Sequence, residues 1–378
     1  MRVAIFTDSY VPQINGVVTQ IRNLSGEFCR RGHEVLIVAP SHDHVFREKR
    51  AGNLTEFFLP SVALPTYPDY RISHFASPKI LREMKKFNAD VVHVQTPFGV
   101  GWMGIRMARK LHIPVVGTYH TLIPEFLDYL PIPLLKETNL AKILTWKYTN
   151  AFYNSCRLVT VPTVPMKHEL ERNGVKSEVV VLPNAIDFGR FNAFRKKSYK
   201  MNSHSLIYFG RIGFEKNIEV LLHCLKHLLW KDRKVSLTIT GSGPAEKYLK
   251  GIVRDEKLEK HVHFHAPLKQ DELARHVADH DIFVTASTIE TQGLTVLEAM
   301  ACGIPCVGAD YLGIKESIHA GKNGFLFRPF DFIECGRKIE RLLESEALRK
   351  KLGQNAIATA RKYSVEAVAD ETEKLYKR

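Results

Sequence analysis

Residues 182–211, LPNAIDFGRFNAFRKKSYKMNSHSLIYFGR, decide how the chain is divided. The first of them close one apolar, β-branched run, EVVVLPN, and the last open another, SLIYFGR. Between the two, RKKSYKMNSHS is polar and basic with no apolar period, the pattern of a linker rather than of a packed element. Working outward, the same alternation appears on both sides. Upstream it runs through RVAIFTD, EVLIVAP, VVHVQT, PVVGTYH and LVTVPT, with helices expected at 18–31 and 101–112. Downstream it runs through SLTITGSG, HVHFHA, DIFVTAS and PCVGAD. Apolar strands separated by helical patterns imply parallel sheets covered on both faces. The expected class is therefore α/β, with two doubly wound, Rossmann-like domains facing a central cleft. The boundaries are set at 1–184 for the first domain, 185–204 for the linker and 205–362 for the second domain. A terminal segment, 363–378, carries a helix opened by Ser364 that is expected to cross back to the first domain. A length of 378 residues suits two cores better than one.

Composition narrows the function. A hydrophobic fraction of 45% and a charged fraction of 25% are ordinary for a folded chain. MRVAIFTDSYVPQINGVV lacks a basic segment followed by an apolar core, and no run approaches the roughly 18 apolar residues of a spanning helix. Six cysteines without a CxxC pair read as reduced thiols of a cytoplasmic protein, and no zinc is expected. The net charge of +14 divides evenly, +7 in residues 1–190 and +7 in 191–378, so it is not a tail. Such a charge suits an anionic partner, but no recognition helix or aromatic stacking motif points to nucleic acid. GxSxG and Walker loops are lacking, and the first βα turn has no GxGxxG; hydrolase, ATPase and hydride chemistry are disfavoured. Asp279 and Asp281 fit a DxD metal pattern but abut IFVTAS and read as the end of a helix entering a strand, and His261, His263 and His265 alternate along a strand with no thiolate or carboxylate at suitable spacing, so neither set is expected to hold a metal.

The chemistry sits at strand ends. After the first strand, Asn15 and Gly16 precede a helix, where the missing Cβ either serves a tight turn or lets a ligand approach the helix N-terminus. In FGRIGFEKN, Arg211 and Lys216 flank a strand-to-helix turn and suit a diphosphate, a planar fork beside a point charge. A surface salt bridge of either to Glu215 is the alternative. ITGSGP supplies Gly241 and Gly243 at another strand end. In STIETQGLTVLEAMACGIP, residues 287–305, Glu290 lies in a loop before Gly293 and a helix is expected from Leu294, placing Glu298 one turn inside an apolar helix. A carboxylate there needs donors, either a ligand diol or a buried basic residue.

These motifs, in this order and spacing, resemble the donor-site motifs of the retaining glycosyltransferases of family 4. The likeness also takes in Asn15-Gly16, His120 in GTYHT and LPNAID, and so covers nearly the whole chain. It implies a GT-B fold and a nucleotide-sugar donor, with no cofactor and no metal. Arg211 and Lys216 would neutralise the leaving diphosphate and Glu298 would hold the ribose. Glu290, with the backbone of Thr291, Gln292 and Gly293, would hold the sugar hydroxyls, Gly16 would close over the phosphates, and His120 would lie near sugar and acceptor as a polar contact or proton relay. Many members have Gly-Phe-Gly after the first glutamate, where this chain has Thr291-Gln292-Gly293. ETQGLT is similar to the enzymes that glycosylate diacylglycerol, with phosphatidylinositol mannosyltransferases close behind. The implied reaction is hexose transfer, glucose from UDP-glucose, to a membrane lipid; GDP-mannose with phosphatidylinositol or a soluble sugar is the alternative, and a GT-B epimerase or phosphorylase a more distant one.

A lipid acceptor calls for docking at the cytoplasmic face of an anionic membrane. FASPKILREMKKF alternates Ile80, Leu81, Met84 and Phe87 with Lys79, Arg82, Lys85 and Lys86, preceded by VALPTYPDY. It reads either as a peripheral membrane helix or as a solvated helix packed on the sheet. Asp8 receives no role at this stage.

Overall fold

A computed structural model describes residues 1–13, 15–64, 67–73, 77–120, 139–200 and 204–378. The chain forms two compact units, Met1–Ala185 with Val368–Arg378, and Ile186–Ala367.

In the first unit the order is β1 (Arg2–Phe6), α1 (Gly16–Arg30), β2 (Glu34–Pro40), β3 (Arg47–Ala51), β4 (Leu54–Leu59), β5 (Ser61–Leu64), β6 (Tyr67–Ser73) and α2 (Pro78–Phe87). It continues through β7 (Val91–Val94), α3 (Gly99–Leu111), β8 (Val115–Thr118), α4 (Asn139–Tyr153), β9 (Leu158–Val161), α5 (Val164–Arg172) and β10 (Glu178–Val181). Eight strands pair in the order β10-β9-β8-β7-β1-β2-β4-β3. All neighbours are parallel except β3, which runs antiparallel to β4 at the edge. The central strands are buried along almost their whole length, as expected of strands covered on both faces. Local chemistry marks the helix starts: Asn15 accepts from the Val18 N–H at 3.0 Å, and Ser77 accepts from Ile80 with Pro78 at the first helical position.

The second unit contains α6 (Phe188–Ala193), β11 (Ser205–Phe209), α7 (Ile218–Trp230), β12 (Ser236–Thr240), α8 (Glu246–Asp255), β13 (Val262–His265), α9 (Gln270–Ala278), β14 (Ile282–Thr285) and α10 (Leu294–Ala301). Then follow β15 (Cys306–Ala309), α11 (Leu312–Ser317), β16 (Gly324–Phe327), α12 (Phe332–Leu343), α13 (Glu346–Arg361) and α14 (Val365–Tyr376). Six parallel strands pair in the order β13-β12-β11-β14-β15-β16.

Part of the stretch read as linker is ordered. Asp187 caps α6 by accepting from the Arg190 N–H, Phe191 is buried, and the Lys196 ammonium meets Asp281 at 3.0 Å, which fastens the run to the second unit. Residues 201–203 lie outside the described residues. The end of α14 belongs to the first unit: Tyr376 shares a 2.6 Å hydrogen bond with His93 Nδ1 on β7, and Arg31 pairs with Asp370 and Glu373.

Candidate functional site

Strand order in an open parallel sheet reverses at one place, and the loops leaving the two strands there diverge and expose a crevice at their carboxyl ends. In the second unit that place lies between β11 and β14. The loop after β11 carries Arg211 and Lys216, and the loop after β14 carries Glu290. Lys216 Nζ meets Glu290 Oε1 at 2.6 Å, although 74 residues separate them in sequence. Arg211 pairs with Glu215 at 3.5 Å, so the two cations take different carboxylates. The buried Tyr208 phenol, raised well above its ordinary value by burial first and then by Glu290 and Glu215, feels both loops. Its hydroxyl donates to the Arg211 carbonyl at 2.8 Å.

Four residues set this geometry, and sequence reasoning assigned a part to none of them. Asn217 adopts a left-handed conformation between the short 3-10 turn and α7, and its amide donates to the Ala286 carbonyl and to Thr288 Oγ1. It thereby ties the cationic loop to the acidic one. On the far side, the Gly313 N–H donates to the Glu290 carbonyl at 2.9 Å and Ser317 Oγ donates to the Gln292 carbonyl at 3.1 Å. A Cβ on Gly313 would strike the Gln292 backbone. Gly210 lies against the end of β12, with its N–H donating to the Thr240 carbonyl. These contacts come from residues far apart in sequence, and no local pattern announces them.

Gly241 and Gly243 have φ of +148° and +159°, and a Cβ on either would overlap the carbonyl of Gly210 or of Ile212. The glycines let the loop after β12 lie directly on the loop after β11. Gly293, at φ +74°, precedes Leu294, the first residue of α10, and Thr291 and the buried Gln292 complete the turn. Glu298 sits one turn into α10. Among the described residues it forms no ion pair or side-chain hydrogen bond; burial and the Asp187 carboxylate push it up to about 8. A basic partner buried beside it, the alternative to a ligand, is not found among the described residues.

In the first unit the reversal lies between β1 and β7. Asp8, buried just beyond β1, accepts from Thr96 Oγ1 at 2.8 Å and from the N–H groups of Val100 and Gly101 at 2.8 and 3.2 Å, at the start of α3. Burial outweighs these donors and pushes the carboxyl up to about 6. His120, beyond β8, meets Gln95 Oε1 at 2.6 Å and is held down to about 4 by burial. An amide oxygen only accepts, so the imidazole proton sits on Nε2 and Nδ1 carries the lone pair. Asn15 caps α1, its amide also donates to Ser9 Oγ, and Gly16 is the exposed first residue of the helix.

The α2 helix settles between its two readings in part. Ile80 and Met84 are fully buried, and Leu81 and Phe87 pack on the same core. Its apolar side is therefore turned to the sheet, leaving Lys79, Arg82, Lys85 and Lys86 in water. Side chains from 64 to 70 in VALPTYPDY and residues 74–76 lie outside the described residues. Among the described residues no group of three or more histidine, cysteine or acidic side chains is placed to hold a metal ion. Asp281 is engaged by Lys196 and by the Ser205 N–H, and His280 by Thr238. No helix among the described residues is long and apolar enough to cross a membrane.

Two doubly wound, Rossmann-like units make up the chain, the composition of the GT-B architecture. Residues 14–190 match the model described as Glycosyltransferase Family 4, and residues 190–359 the one described as Glycosyl transferases group 1. The chain belongs to this glycosyltransferase family. It is 32% identical to an alpha-monoglucosyldiacylglycerol synthase of Streptococcus pneumoniae over 82% of this chain and 72% of that one. It is 28% identical to a protein of the same name from Acholeplasma laidlawii, over 100% and 96% of the two chains. Among solved structures it resembles HepE of Anabaena in complex with UDP-glucose, with a TM-score of 0.74 and 18% identity, covering 100% of both chains.

Proposed function

We propose that this glycosyltransferase moves glucose from UDP-glucose to a hydroxyl of a membrane lipid such as diacylglycerol, with the anomeric configuration retained and no metal ion required. The observation that carries the reading is the Lys216–Glu290 pair at the reversal of the second sheet, with Glu298 one turn into the helix that follows the Glu290 loop. A nucleotide sugar is long enough to span such a set. Its diphosphate faces Lys216 and Arg211, its sugar hydroxyls face Glu290 and the backbone of Thr291–Gly293, and its ribose diol gives Glu298 the donors it lacks. Gly16, at the first turn of a helix, suits close approach of the phosphates. The names of the two curated relatives support the lipid acceptor.

No carboxylate is placed as a nucleophile in this reading. The acceptor oxygen bonds to the anomeric carbon on the face from which the diphosphate leaves, the carbon–oxygen bond to phosphate breaks, and the acceptor proton passes to the departing phosphate oxygen. Arg211 and Lys216 stabilise the charge that develops there, each contributing about 2–4 kcal/mol to lowering the barrier. His120, neutral and with its Nδ1 lone pair available, accepts a hydrogen bond from a sugar or acceptor hydroxyl. The protein works at the cytoplasmic face of the membrane without spanning it.

The test is incubation with vesicles containing diacylglycerol and a panel of labelled nucleotide sugars, with and without EDTA. The expected product is an α-glucosyl lipid formed from UDP-glucose at an unchanged rate in EDTA. Transfer of mannose to phosphatidylinositol or to a soluble sugar, sugar conversion without any acceptor, or an inverted anomeric signal would overturn the respective part of the reading.

A further inference from the structure

The outer side of α4 offers what α2 turns inward. Leu140, Ile143 and Leu144 are 59, 51 and 53% exposed. Their spacing places all three on one side of the helix. Ala141, Thr149, Phe152 and Tyr153 are buried and fix which side faces the core, so the exposed stripe is not a misplaced core face. Lys147, one turn on from Ile143, stands exposed within the stripe, and Lys142 is exposed round the helix from it. The neighbouring helix, α3, is joined to α4 through Trp102: its indole N–H donates to the Tyr148 hydroxyl at 3.1 Å, and its ring meets Phe152 edge-on at 5.1 Å. On its outer side α3 carries Arg106, Arg109 and Lys110, all exposed.

Charge identifies the occupant. Residues 99–111 and 139–153 contain five lysines and arginines and no aspartate or glutamate. Two copies of such a face would repel one another, whereas an anionic lipid surface neutralises it, and the aliphatic stripe finds apolar surroundings just below the headgroups. Trp102 and Tyr148 have the apolar body and polar tip suited to that boundary. The position also fits. The Tyr148 hydroxyl donates to the carbonyl of Pro97, in the loop after β7 whose Thr96 holds Asp8. The stripe therefore begins one helical turn from the strand-end crevice of the first unit.

We propose that the α4 face formed by Leu140, Ile143 and Leu144, with the cations of α3 and α4 around it, seats in the headgroup layer of an anionic bilayer and brings a lipid hydroxyl to the strand ends of the first unit. The proposal rests on the lipid-acceptor reading above and locates its membrane contact, but it is read by binding alone.

The measurement is co-sedimentation with vesicles of phosphatidylcholine containing about one third phosphatidylglycerol, without donor or diacylglycerol, against vesicles of phosphatidylcholine only. The wild-type chain is expected to partition to the anionic vesicles, and L140S/I143S/L144S to lose about tenfold or more of that partition with an unchanged thermal melt. K142Q/K147Q is expected to bind less well at low salt and to differ little from wild type at high salt. Equal binding of the triple serine variant and the wild type, or equal binding to both vesicle types, overturns the proposal. So does concentration-dependent self-association that the same variant abolishes, since the face would then be a protein interface. Absence of any glycolipid product in the transfer assay would count against the proposed function and leave this binding result standing.

Discussion

Lys216 is held by Glu290 at 2.6 Å and both side chains retain some contact with water, being 16% and 24% exposed. Removing the ammonium therefore strands no fully buried charge. Lys216→Ala is expected to lower kcat by about 10²- to 10³-fold while leaving the circular dichroism spectrum and Tm close to wild type; near-normal turnover would remove Lys216 from the mechanism. Glu298 makes a different prediction because its carboxyl is raised from 4.5 to about 8. Between those values the folded protein retains a proton that the unfolded chain has released. Stability from this group is complete below the lower value and falls as pH rises towards the upper one, by up to about 1.4 kcal/mol per pH unit. Glu298→Gln cannot ionise, so its melts are expected to decline less over that window than those of the wild type, and its donor affinity to be weaker by about 1–3 kcal/mol. Parallel pH profiles for the two proteins would show that burial does not govern this carboxyl.

Among the elements, the glycine loops give the sharpest expectation. Gly241 has φ of +148° and no room for a Cβ against the Gly210 carbonyl. Gly241→Ala is expected to cost about 2–4 kcal/mol in urea unfolding of the second unit, because loop separation and backbone strain act together. A change below about 0.5 kcal/mol would mean that the loops part without penalty. The central strands were legible because both of their faces are buried, so β1, β2 and β11 are mostly apolar and β7 is broken only by His93. The edge was not: β3 is REKRA, exposed throughout, and its pairing with β4 is antiparallel. The hairpin of β5 and β6 and the four-residue β16 were also missed, being short and without a decisive period. Candidate site residues could be singled out where polar side chains stand at the ends of those apolar runs, as Arg211, Lys216, Glu290 and His120 do. Asp8, Asn217 and Gly313 were not, since what gives each its part is a partner 88, 69 or 23 residues away.

At the scale of the whole molecule, the first unit depends on a segment that follows the second. Tyr376 is buried, shares its hydroxyl with His93 and packs against Phe28 with ring centroids 5.9 Å apart. His93 in turn meets Thr118, which meets Thr160, so one polar chain ties α14 to β7, β8 and β9. Burial holds His93 down to about 3, so the chain is uncharged at neutral pH. Tyr376→Phe keeps the ring and removes one buried partner; it is expected to cost about 1–3 kcal/mol, measured by urea unfolding of the full chain. A neutral outcome would mean that the ring alone holds the helix.

This interleaving bears on synthesis. Residues 186–367 are translated between the two parts of the first unit, so a ribosome that has just passed residue 367 has delivered every residue of the second unit while the first still lacks Val368–Arg378. Domains of a growing polypeptide commonly mature from the N-terminal side. Here the unit begun first is the one completed last, and until then the imidazole of β7 waits without its phenol.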